Sequence, residues 1–227
     1  MKEMIKLCIF DMDGLLIDSE RYLWTVSMAR AAKEQGKIMT DEFHRSFMGA
    51  NFKTVSERLV EEYGDDFDPD LFFKRTFELN GEIIKQGIPL MKGARQLLDF
   101  LHEKNIKTCI GTTTARYLTT SLLQADNLLD DFDGIVCGNE IKNGKPAPDI
   151  YLACFNKFEG IDLSEVLVFE DGQAGAQAAL AAGMRLVLVP DLAKLDDDVR
   201  NRAYKIIDNL AEIIDTIKEE NEATFSV

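Results

Sequence analysis

Short apolar runs, each closing on polar or acidic residues, constrain the fold of this chain more than any other feature. They are Ile5 to Phe10, Ile106 to Gly111, Gly134 to Cys137, Val166 to Phe169 and Leu186 to Val189, with Lys205 to Ile207 a weaker sixth. Helix-like patterns lie between them, such as Leu97, Leu98 and Leu101, and Ala174 to Ala182. Continuous apolar strands alternating with helices predict an α/β fold, a mostly parallel Rossmann-like sheet sandwiched by helices. Such sheets bind ligands at the carboxyl ends of their strands.

One interval breaks the alternation. The stretch from Phe10 to Ile106 is many times the dozen or so residues that a parallel crossover needs. It contains helix signals and no convincing strand. Thr40 caps a helix whose first turn holds Asp41 and Glu42, with Phe43 and Phe47 on one face before Gly49. Phe52, Val55, Leu59 and Tyr63 form a stripe that stops at Gly64. Asp68 and Pro69 open a further helix with Phe73 and Phe77 on one face. The domains expected are an α/β core of residues 1–16 and 89–227 and an inserted helical-bundle cap of residues 17–88. The cap is expected to serve as a lid over the first strand's carboxyl end, the alternative being a bundle that only adds core. After about Lys218, the acidic tail is expected to be a solvated helix end that frays.

The function classes that remain are narrowed by charge. Among 227 residues, 40 Asp plus Glu stand against 26 Lys plus Arg, for a formal charge of −14. That excess opposes non-specific binding to nucleic acid or an anionic membrane. No apolar stretch approaches the roughly 20 residues that span a bilayer. Met1 to Lys6 lacks the features of a signal peptide, so a cytoplasmic protein is expected. Cys8, Cys109, Cys137 and Cys154 form no C-x-x-C pair and read as reduced thiols, most of them in apolar runs. His44 and His102, the only histidines, read as helix-surface residues, which makes zinc chemistry a poor fit.

Candidate chemistry gathers at the strand ends. In Phe10-Asp11-Met12-Asp13-Gly14 the two acids are two apart, so on an extended backbone they leave the same face. Two carboxylates placed together call for a cation or a retained proton. A calcium loop is excluded, because Leu16 and Tyr22 stand where that pattern needs Gly and Glu. Glu170 and Asp171 follow the Val166 to Phe169 run, and in a parallel sheet both acidic clusters end at one edge. A hard, oxygen-seeking ion is implied, and Mg2+ suits a site of few carboxylates with a substrate phosphate. Thr112, Thr113 and Thr114 offer hydroxyls and amides to an anion. Lys145, in Gly144-Lys145-Pro146-Ala147-Pro148-Asp149, offers an ammonium, and the Pro that follows it rules out a P-loop. Taken singly, these segments also read as a solvated turn, a helix cap or a solvated lysine.

Taken in order, hydrophobic-Asp-Met-Asp-Gly, hydrophobic-Gly-Thr-Thr, Gly-Lys-Pro-Ala-Pro-Asp and hydrophobic-Glu-Asp-Gly resemble the four motifs of the haloacid dehalogenase superfamily. The resemblance covers nearly the whole chain, including a helical insertion like that of the β-phosphoglucomutase and phosphatase branch. It implies that Asp11 attacks phosphorus, forming an aspartyl phosphate, and that Asp13 is the general acid and base. It further implies that Asp11, the Asp13 carbonyl and Asp171 hold Mg2+ with Glu170 in or near the shell. Thr112 and the Thr113 amide would grip phosphoryl oxygens, and Lys145 would neutralise nucleophile and transferring group. The activity implied is a Mg2+-dependent phosphatase, a phosphoric monoester hydrolase acting on a small phosphorylated metabolite of sugar type, with no protein partner inferred.

Two departures bear on the alternative of a hexose-phosphate mutase. Leu23 stands where the β-phosphoglucomutases carry His, and Phe52 where they carry Arg, although Lys53, Lys74 or Arg75 could supply a cation. Gly172 stands where the family often has Ser. A phospho-accepting signalling domain is a third reading, opposed by the order of the motifs and by the insertion.

Overall fold

The computed structural model describes residues 4–47 and 52–224. They divide into two compact units, residues 1–18 with 89–227, and residues 19–88.

The first unit is built on six strands: β1 (Leu7–Phe10), β2 (Lys107–Thr112), β3 (Gly134–Cys137), β4 (Val166–Glu170), β5 (Arg185–Leu188) and β6 (Lys205–Ile206). All neighbours pair in parallel, in the order β3-β2-β1-β4-β5-β6. This is the Rossmann-like sheet that the apolar runs predict. The chain winds outward from β1 to β3, then returns to lay β4 against the other side of β1. The reversal lies between β1 and β4, where open α/β sheets form their ligand crevice. Phe10 is level with both Ile110 and Phe169, so the segments that follow these three strands emerge at the same height.

Side chains alternate across the sheet. Leu7 and Ile9 of β1 join Val166 and Val168 of β4 in a core with Ile150, Tyr151 and Cys154 of α7 (Asp149–Phe155) and the alanines of α8 (Gln173–Ala181). The small residues of α8 allow close approach to the strands. Phe10 and Phe169 point the other way and stack at 4.7 Å. On that side Leu97, Leu98 and Leu101 of α5 (Ala94–Glu103) are fully buried, as are Ile213 and Ile217 of the last helix, Ile213–Thr224. All four cysteines are buried and free.

That last helix corrects the expectation of a fraying tail. Glu220 is buried, receives Arg185 Nη1 at 2.9 Å and the Tyr204 hydroxyl at 2.5 Å, and the Asn221 side chain accepts the Ile5 amide at 2.7 Å. An acidic stretch read as solvated is therefore pinned by a buried carboxylate that Arg185 and Tyr204 hold. Glu220→Ala is expected to destabilise the protein by about 2–4 kcal/mol, because Arg185 and Tyr204 lose that acceptor in a semi-buried setting. Chemical denaturation measures it, and an unchanged midpoint would show that the pair contributes nothing.

The second unit is helical. A π-helical segment, Glu20–Val26, runs into a helix over Ser27–Glu34, followed by helices over Asp41–Arg45, Phe52–Tyr63 and Pro69–Gln86. Thr40 accepts the Phe43 amide at 3.1 Å and Asp68 accepts the Leu71 amide at 3.0 Å, the capping bonds that their residue types predict. Gly49 lies outside the described residues. The core gathers Met28, Ala31, Phe47, Val55, Leu59, Phe67, Phe72 and Leu79. Phe73 and Phe77 share one face of the long helix, as expected, and both pack on the exposed Phe52 ring; Phe77 is half exposed, and the helix buries Phe72, Thr76 and Leu79. One expectation is corrected. His44 is buried rather than on the surface, with Nδ1 at 3.3 Å from the Thr25 hydroxyl.

The two connecting segments run side by side. The Asp18 amide donates to the Pro89 carbonyl and the Met91 amide to the Leu16 carbonyl, both at 2.9 Å, and Ile17 bridges Leu90. Among the described residues, no helix is long and apolar enough to cross a membrane.

Candidate active site

The strand ends at the β1/β4 reversal bring together residues distant in sequence. Asp11 follows β1 directly and is almost fully buried, its amide bonded to the Phe169 carbonyl at 3.1 Å. Glu170 ends β4 and Asp171 follows it. One oxygen from each of Asp11, Glu170 and Asp171 lies within 4.8 Å of the others.

Lys145 enters from the loop before α7, its side chain only 7% exposed. Its ammonium bonds Asp11 Oδ1 and Glu170 Oε1, the latter at 2.6 Å. The Tyr151 hydroxyl also donates to Glu170 Oε1, and the ammonium lies 5.0 Å from the centre of the Tyr151 ring. Glu170 Oε2 takes the Gly172 amide at 3.3 Å. Glu170 thus anchors the lysine that faces Asp11.

Two glycines make this crowding feasible. Gly14 has φ +79°, a left-handed turn, and a Cβ there would lie 2.7 Å from Asp171 Oδ2. A Cβ on Gly175 in α8 would lie 1.6 Å from Glu170 Oε1, a separation that no packing allows. Gly175→Ala is expected to displace the Glu170 carboxylate and to cost about 1–3 kcal/mol through overpacking. The control is Gly144→Ala, whose Cβ meets nothing within 4 Å. Thermal melting of the two variants compares them, and equal midpoints would contradict the contact.

Asp13 faces a different set of partners. Its Oδ2 accepts from the Thr114 hydroxyl at 2.7 Å and from the Thr112 hydroxyl at 3.3 Å. Thr112 Oγ1 in turn accepts the Thr114 amide at 3.1 Å. Thr113 is exposed at the end of β2. Asp11, Asp13, Thr112, Lys145, Glu170 and Asp171 thus meet around one strand edge, with Thr113 at its rim. Tyr151 and Gly175 are not foreseen from sequence, and Thr114 is foreseen only as one of three threonines open to an anion, not as a partner of Asp13. Thr114 had a visible signal in the run of three threonines, whereas a Tyr and a Gly on helices carry none.

The electrostatics test whether this donor set fits a cation. Burial pushes the Asp11 carboxyl up to about 7, Glu170 and Asp13 adding to the rise against the pull of Lys145. Loss of hydration, then Glu170 and Asp11, push Asp171 up to about 9. Burial alone would depress the Lys145 ammonium, but Asp11 and Glu170 outweigh it and hold it above the ordinary lysine value. One ammonium does not compensate three converging carboxyls. An all-oxygen set with excess negative charge suits a hard divalent cation, so the residues fit the metal that they imply.

The comparisons with known proteins agree with this architecture. The model of the haloacid dehalogenase-like hydrolases matches residues 8–189. A Drosophila melanogaster protein named "Probable pseudouridine-5'-phosphatase" is 35% identical over 211 residues, covering 90% of each chain. The phosphorylated carbohydrates phosphatase of Thermotoga maritima is 33% identical over 179 residues, 79% of this chain and 82% of that one. A crystal structure from Thermotoga maritima, named as a "putative beta-phosphoglucomutase", superposes with a TM-score of 0.81 at 30% identity, covering 95% of this chain and 99% of the other. The motifs at the strand ends, the sheet order and these matches together establish that the chain belongs to the haloacid dehalogenase-like hydrolase family.

Proposed function

We propose that this chain is a cytoplasmic, Mg2+-dependent phosphatase that hydrolyses small phosphorylated metabolites, sugar-type phosphates foremost, through a phosphorylated Asp11. The observation that carries the reading is Lys145 held between Asp11 and Glu170 beside Asp171, at the ends of adjacent strands. Its class, a phosphoric monoester hydrolase, is that of the relatives, and their names point to the sugar-type substrates. Four free, buried cysteines suit a reducing compartment.

Asp11 attacks phosphorus with a carboxylate oxygen, and Lys145 offsets the charge of both nucleophile and transferring group. Asp13 gives a proton to the departing oxygen and then takes one from the water that cleaves the acyl phosphate, help worth roughly 10²- to 10⁴-fold. Thr112 and the Thr113 amide hold phosphoryl oxygens in line. Phosphoryl transfer asks for little more than such positioning and charge compensation. Asp11, Asp171 and the Asp13 carbonyl would hold the metal, with Glu170 beside them anchoring Lys145. When bound, the cation supplies a Lewis-acid charge that draws phosphate to an acidic protein.

A panel of phosphorylated metabolites, scored for free phosphate, tests the reading. Chelation with EDTA is expected to abolish release, and Mg2+ to restore it. Mg2+ should also raise the melting temperature of the wild type, because it binds only the folded state, and that shift should shrink in Asp171→Asn. Metal-independent turnover would refute the metal assignment. An isomerised sugar phosphate formed with a bisphosphate activator would make the protein a mutase, and an acyl phosphate lasting minutes would make it a phospho-acceptor.

A further inference from the structure

Thr114 lies two residues beyond the end of β2 and has no part in the roles above. Its hydroxyl makes the shorter of the two contacts to Asp13 Oδ2, 2.7 Å against 3.3 Å for Thr112. A threonine hydroxyl carries one proton, so each side chain donates once at a time. The Thr114 contact has the length of a well-formed O–H···O bond, whereas that of Thr112 lies beyond the usual range. The weaker contact is the one given up at low cost. The Thr114 amide, donating to Thr112 Oγ1 at 3.1 Å, occupies a lone pair of that oxygen and leaves its proton available. When the Thr112 proton turns to a phosphoryl oxygen, Thr114 still donates to Asp13.

We propose that Thr114 is a positioning residue that holds Asp13 in the orientation for proton delivery to the leaving group. The proposal rests on the reading of Asp13 as the general acid and base. In the step concerned, a bond forms between an Asp11 oxygen and phosphorus, and the bond from phosphorus to the ester oxygen breaks. The Asp13 proton passes to that departing oxygen. Asp13 is then a carboxylate, and the Thr114 hydroxyl bond becomes charge-assisted and stronger as the proton leaves. Thr114 therefore acts on the proton transfer as well as on the orientation.

A series of para-substituted phenyl phosphates, from nitro to methoxy, isolates this effect, because acid catalysis matters most when the departing oxygen is most basic. The quantity read is kcat/KM with Mg2+ for the wild type, Thr114→Val, Thr114→Ser and Asp13→Asn. Thr114→Val is expected to lose about 3-fold or less on the nitro ester and about 30-fold on the methoxy ester, part of the range that acid catalysis spans. Its dependence on the leaving group should steepen in the same direction as that of Asp13→Asn. Thr114→Ser, which keeps the hydroxyl, should stay within about 2-fold of the wild type on both esters, a small part of that same range. Equal losses at every leaving group would reduce Thr114 to a structural role and overturn the proposal, as would a valine variant indistinguishable from the wild type. Should valine disturb the strand end, as melting would reveal, Thr114→Ala against Thr114→Ser makes the same comparison. If Asp13→Asn shows the steepening and the Thr114 variants do not, Thr114 alone fails. If Asp13→Asn shows none, or the wild type cleaves none of the esters, the underlying reading fails and the proposal falls with it.

Discussion

Asp11→Asn is expected to release no phosphate above background, a loss of roughly 10⁴-fold or more, in the range seen when a nucleophile is removed. An amide neither attacks phosphorus nor gives an acyl phosphate that water can cleave. The fold should survive. Asparagine is nearly isosteric and removes a like charge from a cluster in which Glu170 and Asp13 already disfavour ionised Asp11. Lys145 keeps Glu170 as a partner at 2.6 Å. The melting midpoint should therefore stay within a few degrees of the wild type, which separates lost chemistry from lost structure. Substantial Mg2+-dependent turnover of p-nitrophenyl phosphate by this variant would remove Asp11 from the nucleophile's role.

Lys145→Met carries the second large effect, and it acts on stability and catalysis together. The ammonium lies between two buried carboxylates, and methionine fills much of its volume without its charge. Removing one partner of a buried ionic pair typically costs about 3–5 kcal/mol, because the remaining charge is left uncompensated. Part of that penalty should be recovered by Mg2+, which brings positive charge to the same carboxyls. Turnover should fall by about 10²- to 10³-fold, as when one preorganised charge or donor is taken from a transition state. Lys145→Arg is not expected to restore activity, since a planar guanidinium does not fit the space of a compact ammonium over the Tyr151 ring. A methionine variant with normal melting and normal turnover would show the lysine to be incidental.

How much of this was legible in the sequence differs between sheet and site. The strands were readable because a sheet buried on both faces demands unbroken apolar runs, and β1 and β4 are such runs. Convergence of Asp11 with Glu170 and Asp171 follows from parallel strands ending at one edge, so the cluster is legible in the order of the strands. The helical insertion was less legible. Phe72, Phe73 and Phe77 are alike in sequence, and only packing decides which ring is buried. Glu220 was unreadable for the same reason, since its partners Arg185 and Tyr204 come from elsewhere in the chain. Tyr151 was missed because its bond to Glu170 depends on the seating of α7 against the sheet.

The paired connectors at Leu16 to Asp18 and Pro89 to Met91 have an evolutionary consequence. A segment whose two ends are clamped together costs the host chiefly loop entropy, which rises only about 0.6 kcal/mol for each doubling of length. The insertion point can therefore accept excursions of very different size and sequence while the residues at the strand ends stay as they are.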